Sequence, residues 1–371
     1  MNCKYFGTCG ACIVYDGGYE EQLSLKVSIN KERFRPFYSG TFSVFESLKS
    51  NYRSRSEFKI WHDEELLCYA MNNRDKNGVV FVDECPQVST HIFALMPKLL
   101  EKIREKKIGF KLFGADFLSS NSGEIVVSLL YHRTLDTTWN ESAAEIAKEL
   151  GIYIIGRSRG QKVTIGQDYV TEILDVGGEE FLFRYIENSF TQPNSHVNEQ
   201  MIGWVLKNLS DTSSDLLELY CGAGNFTIPF AKIFRKVLAT EISKASINAA
   251  KTNMLLNGVA NIEFVRMGVE EFVQALDGVR VFNRMREIEI SSYEIHTIFV
   301  DPPRSGMDED TCKFAARYEN IIYISCNPET LARDLALLCE THTVCDMALF
   351  DQFPYTHHAE MGVKLKKRDI E

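Results

Sequence analysis

After Asn194 the chain alternates short apolar runs with helical patterns, an alternation that over this length builds a mostly parallel sheet with helices on both faces. A helix from Val197 to Leu206 leads into the strand Leu216 to Tyr220, the turn Cys221-Gly-Ala-Gly-Asn-Phe226, and a helix around Ile228 to Phe234. The strand Val237 to Glu241 follows, then a helix capped by Ser243 and stopped near Gly258. Further strands are expected at Ile262 to Met267, Thr297 to Val300 and Ile321 to Ser325, with a last pair near Val344 to Phe350 and Gly362 to Leu365. Residues 191–371 are therefore read as a doubly wound α/β domain.

Residues 1–190 lack that regularity. Tyr19, Leu23, Val27 and Phe34 fall on one helical face, and Ile92, Met96, Leu99 and Ile103 on another, the latter followed by a basic cluster from Lys102 to Lys111. Arg53 to Trp61 alternates as a half-buried strand whose polar face would carry Arg53, Arg55 and Lys59, a row suited to a phosphate backbone or simply to solvent. Ile125 to Tyr131 and Ile152 to Ile155 read as strands, with a helix between them marked by Trp139, Ala143, Ile146 and Leu150. Strands and helices mixed without βα repetition give an α+β domain.

Ordinary globular composition accompanies a net charge of -10, which argues against a generally basic surface while leaving room for a local basic stripe. The N-terminus lacks the layout of a signal peptide, and no uncharged apolar run approaches the roughly 20 residues of a membrane span, so a cytoplasmic location without membrane contact is expected. Ten cysteines in such a compartment point to packing, metal or catalytic uses rather than disulfides. Cys3, Cys9 and Cys12 are closely spaced, and Cys85, followed by Pro86, is the best fourth ligand for an iron–sulfur cluster; zinc, or free thiols, remain open.

The chemistry concentrates at expected strand ends. Gly222 and Gly224 let backbone approach a ligand closely, and Glu241, at the end of the next strand, stands where a carboxylate accepts ribose hydroxyls. The third glycine that packs a helix under a pyrophosphate is missing, which favours S-adenosylmethionine (SAM) over a nicotinamide dinucleotide. Asp301-Pro-Pro-Arg304 ends another strand; Arg304, where amino-group methyltransferases carry an aromatic residue, suits a phosphate or base edge. Cys326 follows the strand Ile321 to Ser325, and Asn327-Pro328 opens a helix whose N-terminus would favour thiolate. Glu360 closes a cluster with His357 and His358 whose spacing fits no standard metal site and better suits a general base.

Together Phe190-Thr-Gln-Pro-Asn194, Leu217 to Phe226, Phe299-Val-Asp-Pro-Pro-Arg-Ser-Gly306, Ser325-Cys-Asn-Pro-Glu-Thr330 and Phe350 to Glu360 resemble the motifs of the RNA uracil-C5-methyltransferases, over nearly the whole chain and less clearly before about residue 45. The resemblance implies a C-terminal class I, Rossmann-like SAM-dependent methyltransferase domain behind an N-terminal α+β RNA-binding domain. It implies that Cys326 adds to uracil C6 and that Glu360 removes the C5 proton. Gln192, Tyr220, Asn225, Glu241 and Asp301 would line the SAM pocket, and Arg53, Phe113 and Arg304 would contact RNA. The closest motif match is to members acting on the tRNA T-loop at position 54. Cys3, Cys9, Cys12 and Cys85, however, match the [4Fe-4S] ligands of ribosomal-RNA relatives, some of which carry a small β-barrel for which this chain leaves no room. The expected partner is thus the tRNA T-arm, with 23S rRNA or a non-catalytic tRNA-folding role as alternatives, and no protein partner is implied.

Overall fold

The computed structural model describes residues 1–13, 17–63, 66–209 and 212–369. In chain order its elements are α1 (Tyr19–Phe34), β1 (Ser43–Phe45), β2 (Arg55–Asp63), β3 (Leu66–Asn72), β4 (Val79–Val82), α2 (Thr90–Glu105), β5 (Leu112–Ser119), β6 (Ile125–Tyr131), α3 (Thr137–Leu150), β7 (Tyr153–Ser158), β8 (Gln161–Ile165), β9 (Tyr169–Val176) and β10 (Glu179–Ile186). Then come α4 (Ser195–Asn208), β11 (Asp215–Leu219), α5 (Thr227–Ala231), β12 (Val237–Thr240), α6 (Lys244–Leu256), β13 (Ile262–Val265), α7 (Val269–Leu276), β14 (Ile295–Val300), α8 (Glu309–Ala315), β15 (Asn320–Ser325), α9 (Pro328–Leu338), β16 (His342–Phe350) and β17 (Glu360–Lys367).

The larger sheet has eight strands in the order β13-β12-β11-β14-β15-β17-β16-β1. β13 through β15 are mutually parallel, and β17 runs antiparallel between β15 and β16. Every residue of β11, β12 and β15 is buried, as strands covered on both faces require. The order reverses at β11 and β14, the switch point where such sheets bind ligands beyond the strands' carboxyl ends. This is the expected Rossmann-like methyltransferase architecture.

A seven-stranded sheet, β4-β3-β2-β5-β6-β7-β8, lies wholly within residues 1–190, and β9 pairs with β10 in a separate hairpin. The larger sheet takes seven strands from residues 191–371 and one, β1, from the N-terminal portion, which pairs in parallel with β16. α1 packs there too. Besides Tyr19, Leu23 and Phe34 it buries Gln22, Lys26 and Asn30, a polar stripe at fourfold spacing. Gln22 and Lys26 donate to buried Asp351 at 2.8 and 2.6 Å, which explains a stripe that apolar patterning alone would assign to solvent.

Two basic features make bonds within the protein. Arg53 precedes β2, where its Nε donates to the Arg55 carbonyl, while Arg55 reaches the Ser189 carbonyl and Lys59 donates to Asn72 at 2.6 Å. The row is thus engaged with the protein itself. In the basic cluster, Lys102 and Lys106 pair with Glu145 and Glu149 of α3. Packing of α2 against α3 converted a run of charge in one segment into ion pairs between two.

Candidate active site

β11 ends at Leu219, and Tyr220 takes a left-handed conformation (φ 62°) that turns the chain out of the sheet. A non-glycine residue held there costs energy and is characteristic of functional sites. Gly222 follows at φ 55°, and a Cβ on it would meet no atom within 4 Å, so the turn presents bare backbone to open space. Glu241, just past β12, accepts from the Gly222 N–H at 3.2 Å and the Ser243 N–H at 2.7 Å, and each carboxylate oxygen retains a lone pair for a hydroxyl donor. Asn225 exchanges two 2.8 Å hydrogen bonds with Asn198 of α4. Beneath the turn, Glu218 is buried, its Oε2 has no partner, and burial pushes its pKa up to about 8.

The second group forms because β17 is antiparallel to β15. Ser325 pairs with Met361, so the first residue of β17, Glu360, lies beside the carboxyl end of β15, where Cys326 follows. Asp301 leaves β14 at the same edge. Burial pushes Cys326 up to about 11, reinforced by Glu360 and Asp301 and opposed by Arg304. Burial likewise raises Glu360 to about 8, with Asp301 adding to it and Arg304 opposing, and Asp301 to about 7. The thiolate that the N-terminus of α9 was expected to favour at Cys326 is thus opposed by burial and by the carboxyls of Glu360 and Asp301. A thiol beside a carboxyl of raised pKa is the kind of pair that nucleophilic addition and proton removal call for.

Gln192 is buried and accepts from Gln352 Nε2 at 2.7 Å; the Oε1 of Gln352 has no partner. Gln352, Asn198 and Glu218 were not singled out from sequence. Gln352 and Glu218 lie inside recognised motifs, whereas Asn198 left no signal beyond its place in an amphipathic helix.

Arg304 and Cys326 line one groove of about 470 Å³ together with α1 and His357 and His358. Phe113 is elsewhere, on β5 of the seven-stranded sheet, half-exposed and stacked on His132 with ring centroids 4.0 Å apart. Arg53 belongs to a separate cavity of about 340 Å³, lined also by Cys3, Cys9, Cys12 and Cys85. Burial and the neighbouring thiols push Cys12 and Cys85 up, Cys85 to about 11. Among the described residues no set of three or more His, Cys, Asp or Glu is gathered around a single metal ion, at the cysteines or at His357, His358 and Glu360. Thr356 lines both the cysteine cavity and the Cys326 groove, and Tyr355 beside it accepts the Ile13 N–H and the terminal amine of Met1, each at 3.1 Å. The N-terminal segment thus braces the loop leading to Glu360.

Residues 18–368 match the family model described as tRNA (Uracil-5-)-methyltransferase, which begins after Cys3, Cys9 and Cys12. A Sulfurimonas denitrificans protein named tRNA/tmRNA (uracil-C(5))-methyltransferase is 76% identical over 99% of this chain and 100% of its own length. A protein of the same name from Pseudomonas aeruginosa is 48% identical over 94% of this chain and 97% of its own. The crystal structure of Pyrococcus abyssi tRNA (uracil-54, C5)-methyltransferase with S-adenosyl-L-homocysteine shares the fold, with a TM-score of 0.70 and 23% identity over 94% of this chain and 83% of that one.

Proposed function

This chain belongs to the tRNA (uracil-5-)-methyltransferase family, and on that premise we propose that Cys326 and Glu360 methylate a uridine at position 54 of the tRNA T-loop. The enzyme uses SAM to methylate uracil C5 in tRNA and tmRNA. The observation that supports pairing Cys326 with Glu360 is the β15–β17 register, which sets the two side by side.

Uracil C5 is a weak nucleophile until a group adds to C6. The Cys326 thiol gives up its proton to water in the groove, its sulfur forms a bond to C6, and the C5–C6 π pair shifts to C5, which takes the methyl group that SAM supplies, leaving S-adenosylhomocysteine. Glu360 then removes the C5 proton, and the electron pair re-forms the C5–C6 double bond as the sulfur leaves. Asp301 and Gln192 would hold the base, Gln192 with its amide oriented by Gln352. Tyr220, Asn225 and Glu241 would hold SAM around the Gly222 turn. Arg304 would hold RNA at the groove, and Phe113 and Arg53 would contact it outside that groove. A target base has to leave its stack, which costs a few kcal/mol and favours a loop. The test is methylation of tRNA and 23S rRNA transcripts by the purified protein, mapped by mass spectrometry. 5-Methyluridine at T-loop position 54 is expected, and methylation confined to rRNA would overturn the tRNA assignment.

We further propose that Cys3, Cys9, Cys12 and Cys85 hold a [4Fe-4S] cluster. What supports the reading is that the four thiols line one cavity and that thiolate sulfur is the donor such clusters take. Such a cluster would tie residues 1–13 to the segment at Cys85. Anaerobically purified protein should be brown and contain iron and acid-labile sulfide in equal amounts. A colourless protein, with or without zinc, would reject the cluster.

A further inference from the structure

Along α1, Leu25, Ile29 and Arg33 form one stripe at fourfold spacing, next to the buried stripe of Gln22, Lys26 and Asn30. Leu25 is 49% and Ile29 48% exposed. Single exposed apolar residues are ordinary, but these two line the same groove as Cys326. Arg33 extends the stripe; one of its nitrogens donates to Asn30 at 2.9 Å and another lies 3.6 Å from the exposed carboxylate of Glu329. Arg304 lines the same groove, while Lys26 is committed to Asp351. The groove, at about 470 Å³, lies within the range of small-ligand pockets, about 300–1,000 Å³.

Resting on the reading of Cys326 as the nucleophile toward uracil, we infer that α1 is a wall of the RNA site and holds a nucleotide flanking the target uridine. Its base lies on Leu25 and Ile29, and its phosphate lies between Arg33 and Arg304. Two observations favour this occupant. The groove is continuous with Cys326, so whatever follows or precedes a uridine seated there must pass along it. Its walls combine an apolar strip with guanidinium groups, the pairing that single-stranded RNA presents as base and phosphate. The buried Lys26–Asp351 pair fixes the helix in place, so the wall is preformed.

The test uses the full-length protein and a T-arm stem–loop RNA, once with uridine and once with 5-fluorouridine at the target. Wild-type protein must first form the covalent adduct with the fluorinated RNA; failure at that step strikes the nucleophile reading and not the role of α1. Given the adduct, the double variant Leu25→Asp/Ile29→Asp should raise KM for the stem–loop about tenfold or more, with a smaller change in kcat and unchanged SAM affinity. Leu25→Met/Ile29→Leu should restore it. Arg33→Gln should flatten the slope of log K against log salt by about 0.7, the share of one phosphate contact on a single strand. Should the double Asp variant unfold, the salt slope of Arg33→Gln decides alone. Unchanged KM in a folded double variant, or an unchanged salt slope, would overturn the inference.

Discussion

Cys326→Ala leaves a protein that binds SAM and tRNA but forms no adduct with 5-fluorouridine-containing tRNA and methylates at least about 10⁴-fold more slowly, the scale of losing a covalent nucleophile. The size of the effect follows from the chemistry: without addition at C6, C5 has no electron density to offer a methyl group. Folding is not at stake, since Cys326 lies at a strand end outside the packed interior and Ala removes only a sulfur. Trapping followed by denaturing electrophoresis and peptide mapping reads the result. An adduct mapped to another cysteine, such as exposed Cys345, would remove Cys326 from the mechanism.

Glu360→Gln separates addition from release. The variant should take up the methyl group and then stall, because the C5 proton has no acceptor, so an RNA–protein adduct accumulates on ordinary uridine RNA and turnover falls by about 10²–10⁴. The pH dependence has a definite sign. In the free protein Glu360 raises the Cys326 pKa, so removing its charge lets the thiol ionise more readily, and adduct formation in single-turnover experiments should shift to lower pH than in the wild type. Release should remain blocked at every pH. Near-normal turnover by this variant without an accumulated adduct would assign the proton to a different group, Asp301 being next in line at the same edge.

The two variants also measure how far local sequence carries. The β/α alternation after Asn194, the capped helix from Lys244 and the helix that opens at Pro328 were legible because apolar periodicity, Ser243, Asn327 and Gly258 act within a few residues. The ends of β11, β12 and β13 were read one or two residues long, and the error is informative. Tyr220 and Glu241 look like strand residues by composition, yet the chain leaves the sheet before each so that the turn and the carboxylate can meet. The β9–β10 hairpin passed unread although Gly177-Gly178, both at positive φ, is a strong turn signal.

Residue identity along the chain determined the candidate chemistry: a thiol at a strand end, a carboxylate after two histidines, a glycine turn without a third glycine, and four cysteines near the N-terminus. These are local facts, set by side-chain type and short-range spacing. Only the tertiary structure decided which of them meet. The antiparallel insertion of β17 puts Glu360 beside Cys326, and α1, more than three hundred residues from Asp351 in sequence, is locked against it by Lys26. Charge state was decided there too, because a pKa depends on burial and on facing groups rather than on neighbours in the chain. The same thiol that a helix N-terminus would help ionise is pushed the other way by burial and by the carboxyls of Glu360 and Asp301.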